Sequence, residues 1–398
     1  LNYCIFVVGN KISMEKNFKM IAKTMFGLEE VLATELRKLG ASKVEIGTRN
    51  VAFEGDKGFM YKANLCCRTA IKVLKPLTSF NVFTEEDIYK KVYAFPWENY
   101  MDVDGSLAVD ATVFSEKFTH SQYIALKTKD AIVDRFRDNE GRRPDVDLDH
   151  PTLRVNIHID RNICTLSLDS SGQSLHKRGY KVANTMAPIN EVLAAGMIML
   201  AGWNGQCDLL DPMCGSGTIL TEAAMIACNI PPNLNRDEFA FENWLDFDVD
   251  LFELIENAAL KKIRESNYSI QGFDIEADVV DKAKENIESA NLKEFITVHN
   301  QDFFESKKET ERPLFIIFNP PYDERIQVDA EKLYASIGAT LKHQYPGTQA
   351  WMITSNMEAL KHVGLRPSRR IKLYNGKLEA KLVRYDMYEG SKKTKKNS

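Results

Sequence analysis

The sequence predicts an α/β protein whose C-terminal half is a mostly parallel sheet, preceded by two smaller α+β segments. Three observations carry this. From about residue 185, short apolar runs alternate with helical patterns at Asp208–Leu210, Ile270–Phe273, Ile296–Val298, Leu314–Phe318 and Ala350–Ile353, the rhythm of βα units. Before residue 170, strands and short helices follow one another without that rhythm. A glycine-rich turn follows the first strand of the second half, and ligands in such sheets bind at the carboxyl ends of the strands.

The N-terminal elements read in order. Phe18 to Lys23 is a short strand, and Gly27 to Gly40 is an amphipathic helix ending in glycine. Val44 to Ile46 and Asn50 to Phe53 are strands, and Gly58 to Leu65 is a helix. Thr84 and Asp87 open a further helix with a capping pattern. Ser106 to Phe114 alternates as a strand, and Ser121 to Phe136 is helical. Leu153 to Ile159 and Ile163 to Leu168 alternate around Asp160-Arg161-Asn162, the pattern of a hairpin. This half holds no catalytic constellation and reads as a binding module.

Composition removes several function classes. The chain has 398 residues, 44% hydrophobic and 27% charged, which suits a soluble globular protein. No run approaches the ~20 apolar residues of a membrane span, so no membrane partner is expected. Seven scattered cysteines form no CxxC pair and the histidines are equally dispersed, so no metal is expected. Reduced thiols and the lack of a signal segment predict a cytoplasmic protein. Met14 and Met20 are candidate start residues. The net charge of −4 does not itself announce a nucleic-acid partner. Residues 1–180 hold 26 basic and 24 acidic residues against 26 and 32 in the remainder, a weak asymmetry favouring the N-terminal half for RNA contact.

Four motifs carry chemistry. Asp211-Pro212-Met213-Cys214-Gly215-Ser216-Gly217-Thr218 is a tight turn into a helix, where two glycines let backbone approach a ligand. It matches neither the nicotinamide fingerprint nor a P-loop. Gln271-Gly272-Phe273-Asp274 ends the next strand in an acid able to accept from ribose hydroxyls. Asn300-Gln301-Asp302-Phe303-Phe304 pairs an acid with an aromatic, a set able to hold adenine. Phe318-Asn319-Pro320-Pro321-Tyr322 offers a side-chain amide oxygen, carbonyls on a stiff backbone and a flat ring. That last set suits an aromatic amine, and the four motifs lie in order at the ends of successive strands.

DPMCGSGT and NPPY resemble the S-adenosylmethionine loop and catalytic motif of class I methyltransferases that modify exocyclic amines. With DPMCGSGTILTEAAMIA and NPPYDER, the chain resembles, from about Phe18 to Tyr388, the bacterial THUMP-domain 23S ribosomal RNA guanine-N2 methyltransferases. The resemblance implies an uncertain extension at 1–17, a ferredoxin-like segment at 18–80, a THUMP RNA-binding domain at 81–172, a Rossmann-like methyltransferase domain at 173–390 and a Lys-rich tail at 391–398. It implies S-adenosylmethionine held by Asp211, Pro212, Cys214, Gly215, Ser216, Gly217, Thr218, Asp274, Asp302, Phe303 and Asn319. It implies that Asn319, Pro320, Pro321 and Tyr322 position the target base. The expected partner is ribosomal RNA presenting an unpaired or flipped guanine, and the expected assembly is a monomer with one methyltransferase unit performing one methylation. Asp323 stands where the family's commoner motif has glycine, which bears on target choice, and Arg325 is a candidate phosphate contact. Cys214 is expected to pack as a small hydrophobe, not to act as a nucleophile. The rival readings are an adenine-N6 nucleic-acid methyltransferase, a non-catalytic RNA-binding or ribosome assembly factor, and a small-molecule methyltransferase.

Overall fold

The structure, a computed structural model, describes residues 16–183, 188–321 and 329–388. Most of the N-terminal extension, the Lys-rich tail, Tyr322, Asp323 and Arg325 lie outside the described residues.

The N-terminal half runs β1 (Phe18–Lys23), α1 (Glu29–Leu39), β2 (Ser42–Gly47), β3 (Asn50–Gly55), α2 (Lys57–Cys66), β4 (Lys72–Asn81), α3 (Glu85–Tyr93), β5 (Ser106–Phe114), α4 (Ser121–Glu140), β6 (Asp145–Val146), β7 (Leu153–Asp160) and β8 (Ile163–Asp169). Local chemistry sets the helix ends. Gly40 takes φ 110° and donates back into α1, which stops there. The Asp56 carboxylate accepts from the Phe59 N–H at 2.7 Å to start α2. Thr84 and Asp87 form a reciprocal capping box at α3.

The strands form one eight-stranded sheet, in the order β2-β3-β1-β4-β8-β7-β5-β6. The two α+β segments are therefore fused. The joining strand is β4, antiparallel to both β1 and β8. Its sequence Lys-Val-Leu-Lys-Pro-Leu-Thr-Ser-Phe-Asn has no clean alternation and contains a proline, so no strand was expected there. The register to β8 shifts between Pro76 and Thr78, which accommodates that proline.

The second half runs α5 (Glu191–Ala201), β9 (Asp208–Asp211), α6 (Thr218–Ala227), α7 (Val249–Leu260), β10 (Ile270–Asp274), α8 (Ala277–Ser289), β11 (Ile296–Asn300), β12 (Leu314–Phe318), α9 (Ala330–Gln344), β13 (Gln349–Thr354), β14 (Arg369–Asn375) and β15 (Leu378–Asp386). The sheet order is β11-β10-β9-β12-β13-β15-β14. The first five pair in parallel, as expected, and β15 runs antiparallel to both β13 and β14. The chain order reverses between β9 and β12, so a crevice opens at their carboxyl ends. One face of the sheet is packed by α5, α6 and α8 around Leu209, Ile317 and Trp351. The other carries α9 around Ile316, Phe318 and Met352.

The two halves share a core. Phe239, Phe241 and Trp244, which belong to the second half by sequence, are buried with the N-terminal hydrophobic residues. Phe241 stacks on Tyr61 of α2 at 4.4 Å. At the same junction Arg178 and Glu222 form a fully buried ion pair at 3.2 Å. Arg178 also donates to the Arg68 carbonyl at 2.6 Å.

Candidate active site

β9 ends in Asp211, which is 1% exposed, and its carboxylate accepts from the Met213 N–H at 3.1 Å. The chain then turns through Pro212 and Cys214, and the Cys214 N–H donates to the Phe273 carbonyl at 2.8 Å. This bond ties the turn to the end of β10. Gly215 follows at φ 53° and Gly217 at φ 79°, the left-handed region that glycine enters without strain. A Cβ added to Gly215 would stand in open space, so backbone here is bare to a ligand. Gly217 caps α6, and buried Thr218 is the first helical residue. Buried Ser216 sets its hydroxyl 3.4 Å from that of Thr218.

Asp274 stands at the end of β10, beside the turn. One carboxylate oxygen accepts from the Gly215 N–H at 3.0 Å and the other from the Glu276 N–H at 3.1 Å. Each oxygen keeps a second lone pair for a ligand hydroxyl. Asn300, ending β11, donates from its side chain to the Asp274 and Ile275 carbonyls at 3.1 and 2.9 Å. The carboxyl ends of β9, β10 and β11 are thereby locked together.

Electrostatics narrow what this cradle accepts. Burial drives the Asp211 carboxyl well above its usual range, with the Asp274 charge adding to the shift. Burial also raises Asp274, against the lowering effect of its two N–H partners. Burial, with the charges of Asp211 and Asp274, pushes the Cys214 thiol well up, so it stays protonated and is no nucleophile. The turn from Asp211 to Thr218 contains no lysine or arginine. A phosphate would meet two acids and no cation there. A ligand with ribose hydroxyls and no phosphate at this turn fits the acceptors.

β12 pairs with β9 with Ile316 opposite Leu210. Asn319 directly follows the carboxyl end of β12, the strand beside β9. Asn319 is half-buried, and its Oδ1 is a buried acceptor with no hydrogen-bond partner among the described residues. Pro320 is buried and Pro321 half-buried. A buried amide oxygen left unmatched costs free energy in the absence of a donor, so Asn319 Oδ1 has the capacity to accept an N–H. Tyr322 lies outside the described residues.

The third motif follows the end of β11. The Asp302 carboxylate accepts from the Phe304 N–H at 2.8 Å and caps a short 3-10 turn. Phe303 was read as an adenine contact, but it is 3% exposed, with its ring centroid 6.2 Å from that of Phe318 and 5.7 Å from that of Tyr345. Its ring serves the core because the apolar space beneath β12 and α9 is filled from this turn. The rings and side chains open to the crevice rim are Phe304, 36% exposed, and Ile275, 67% exposed, next to Asp274.

Sequence reasoning also missed Asn286. It is fully buried on α8, accepts from the Val182 and Ala183 N–H groups at 2.9 Å, and donates to the Ala183 and Ser216 carbonyls at 2.9 and 3.1 Å. One side chain thus clamps the entering chain to the ligand turn. The signal was an amide on the apolar stripe of Val280, Ala283 and Ile287.

A large cleft among the described residues lies elsewhere. It holds about 750 Å³ between His150, Ser171–Lys181, Pro188–Glu191 and Arg236–Asn243, and none of the four motifs lines it. Much of its charge is already paired, His150 with Glu238 at 2.6 Å and Lys181 with Glu191 at 2.5 Å. Chemistry, not volume, therefore locates the site. Among the described residues no cluster of histidine, cysteine or acid could hold a metal ion, and no helix is long and apolar enough to cross a membrane.

Comparison with known proteins shows the family. Residues 178–384 match the family model described as RMKL-like, methyltransferase domain. Residues 83–169 match the THUMP domain, and residues 19–74 match the RlmL ferredoxin-like domain. Ribosomal RNA large subunit methyltransferase K/L of Syntrophotalea carbinolica is 38% identical over 390 residues, covering 94% of this chain and 54% of the relative. The chain spans about half the length of the K/L relatives it matches. The protein slr0064 of Synechocystis sp., assigned as an RNA methyltransferase, is 36% identical over 91% of this chain and 95% of its own. The crystal structure of SMU.472, assigned as a methyltransferase and complexed with SAH, superposes with a TM-score of 0.84 at 30% identity, over 95% of this chain and 100% of that one.

Proposed function

Because this chain belongs to the RMKL-like methyltransferase family and carries that family's THUMP and ferredoxin-like domains, we propose that it methylates the exocyclic N2 of a guanine in 23S ribosomal RNA, using S-adenosylmethionine. The observation that carries this reading is the unmatched Oδ1 of Asn319, a buried acceptor beside the ligand turn.

When bound, S-adenosylmethionine supplies an electrophilic methyl group on a cationic sulfonium. The residues of the chain fit it. Asp211 and Asp274 line the crevice with carboxyl oxygens and the turn carries no cation, the bare backbone at Gly215 admits close approach, and Asp274 keeps acceptors for ribose hydroxyls.

A guanine amine is a poor nucleophile because its lone pair is drawn into the ring. Asn319 Oδ1 accepts one N–H and the Pro320 carbonyl accepts the other. Holding both hydrogens on one side turns the lone pair toward the methyl donor. Positioning of this kind supplies up to ~7–11 kcal/mol of barrier reduction in favourable cases. Tyr322, next along the chain, is assigned the stacking face for the base. A paired base cannot enter a crevice between strand ends, so the target is unpaired or flipped.

Mass spectrometry of nucleosides from 23S ribosomal RNA, incubated with the chain and labelled S-adenosylmethionine, tests the reading. Label in N2-methylguanosine is expected. Label in N6-methyladenosine would retain the amine chemistry and overturn the base. Asn319→Ala is expected to slow transfer by roughly 10²-fold, the order seen when a reacting group is misplaced, with cofactor affinity by calorimetry unchanged. Normal turnover in that variant would remove Asn319 from the mechanism.

A further inference from the structure

At the β7–β8 turn the N-terminal sheet ends in a group of side chains that the crevice does not use. Phe83 is 59% exposed and Phe114 is 65% exposed. The backbone fixes both to the turn. The Arg161 N–H donates to the Phe114 carbonyl at 2.7 Å, and the Val82 N–H donates to the Asn162 carbonyl at 2.8 Å. β4 and β5 are separated by β8 and β7, so the two rings leave strands about 14 Å apart, three inter-strand spacings. Ile163, 52% exposed, lies between them on β8.

Three further features mark this end as more than scattered apolar surface, which alone is ordinary. Lys117 holds its ammonium 5.4 Å from the Phe83 ring centroid. Neither Lys117 nor Arg161 makes an ion pair among the described residues, and Arg161 is held at φ 55° at the tip of the turn. Phe114 meets His158 edge-on at 5.7 Å, and His158 Nδ1 is buried with no hydrogen-bond partner among the described residues.

Exposed rings and cations without an ion pair among the described residues form a set that unpaired nucleotides would satisfy. Bases stack on aromatic faces and phosphates pair with cations. A duplex keeps its bases stacked inside and offers only phosphates here. Glu116 and Asp160 flank the two cations, so stacking, not bulk positive charge, must carry the affinity.

We propose that this end of the sheet is a stacking platform for unpaired nucleotides of RNA, with Phe83 and Phe114 as the stacking faces and Lys117 and Arg161 at the phosphates. The proposal rests on the RNA reading above and adds the place and manner of contact.

Fluorescence anisotropy with the full chain tests it, using a short labelled single-stranded oligoribonucleotide and the same strand annealed to its complement. The single strand is expected to bind more tightly. Phe83→Ala and Phe114→Ala should each weaken it roughly tenfold, as loss of one base–aromatic stack does. Phe114→Trp should retain affinity and Phe114→Leu should lose it, since leucine keeps the apolar contact without the ring face. S-adenosylmethionine affinity by calorimetry should be unchanged in all variants, showing that they fold. Equal affinity of the wild type and the double alanine variant overturns the platform alone, provided the wild type still labels ribosomal RNA. Retention by leucine points to an apolar protein partner and also overturns it. A wild type that neither binds nor labels RNA overturns the platform and the RNA reading together.

Discussion

A carboxyl group removed from water, with another acid nearby and no cation paired to it, favours its protonated form. Asp211 is such a group: burial is the main cause of its raised pKa and Asp274 adds to it. In the unfolded chain it ionises near the ordinary Asp value, so between that value and the raised one the folded state holds a proton that the unfolded state has lost. Stability then falls as pH rises through that window, and the loss is complete above the folded pKa. Asparagine keeps the oxygen that accepts from Met213 and carries no titrating proton. Asp211→Asn is therefore expected to raise the melting temperature at neutral pH while weakening S-adenosylmethionine binding, and its gain over the wild type should vanish as pH falls below the ordinary Asp range. Thermal melts from pH 4 to pH 8 check this; a variant less stable than wild type at pH 7 would contradict it. At this scale the sequence announced the acids and the amide because they lie at strand ends in the order a crevice needs. It did not announce Phe303's burial, because adjacent phenylalanines look alike until the space beneath β12 is known. Nor did it announce Asn286, whose four partners come from distant chain segments.

Among elements, α9 shows packing overruling propensity. Gly338 lies inside this helix, where alanine would be favoured by up to ~1 kcal/mol. A Cβ there would stand 1.7 Å from the Val363 carbonyl oxygen, and that oxygen is backbone of the 3-10 turn Ala359–Val363, which cannot swing aside as a side-chain tip can. Overpacking of this kind costs about 1–3 kcal/mol or more and exceeds the propensity gain. Gly338→Ala should therefore lower the melting temperature by several degrees, on the order of 2–4 °C per kcal/mol for a unit of this size. A melting temperature at or above wild type would show that the turn moves freely. In the fold this glycine is a close backbone contact. The same contrast explains which elements were legible. β9 to β13 stand out as apolar runs because both faces of the sheet are covered. The helices α1, α3 and α4 were marked by their caps and apolar spacing. β4 was hidden by Lys72, Lys75 and Pro76, which are tolerated because their neighbours on β1 and β8 supply the pairing. The α7 segment was hidden too, since no residue of it is fully buried.

For the whole molecule, the question is how two halves with separate sheets behave as one body. Phe239, Phe241 and Trp244 place second-half residues in the N-terminal core, and a chain of buried charges joins the backbones. Glu35 accepts from the Arg68 and Thr69 N–H groups at 2.8 and 3.0 Å, Arg68 donates to the Met225 and Ile230 carbonyls at 3.0 and 2.8 Å, and Arg178 links the Arg68 carbonyl to Glu222 on α6. Burial raises Glu222 while Arg178 pulls it down, so the acid is tolerated only through its partner. α6 is also the helix that the ligand turn enters, so this junction reaches toward the crevice. Glu222→Gln preserves shape and removes the charge, leaving Arg178 buried beside a neutral amide. Breaking a buried pair from one side costs about 3–5 kcal/mol, mostly from the charge left behind. The cost falls on contact between halves, not on either sheet. Scanning calorimetry of Glu222→Gln is therefore expected to show a lowered transition that splits in two, with the N-terminal half melting apart from the catalytic half. A replacement that removes both charges, Arg178→Met with Glu222→Leu, should recover much of the loss, because apolar pairs of similar volume replace buried ion pairs at little cost. A single unshifted transition in Glu222→Gln would mean that the aromatic junction at Tyr61 and Phe241 couples the halves without help from the charges.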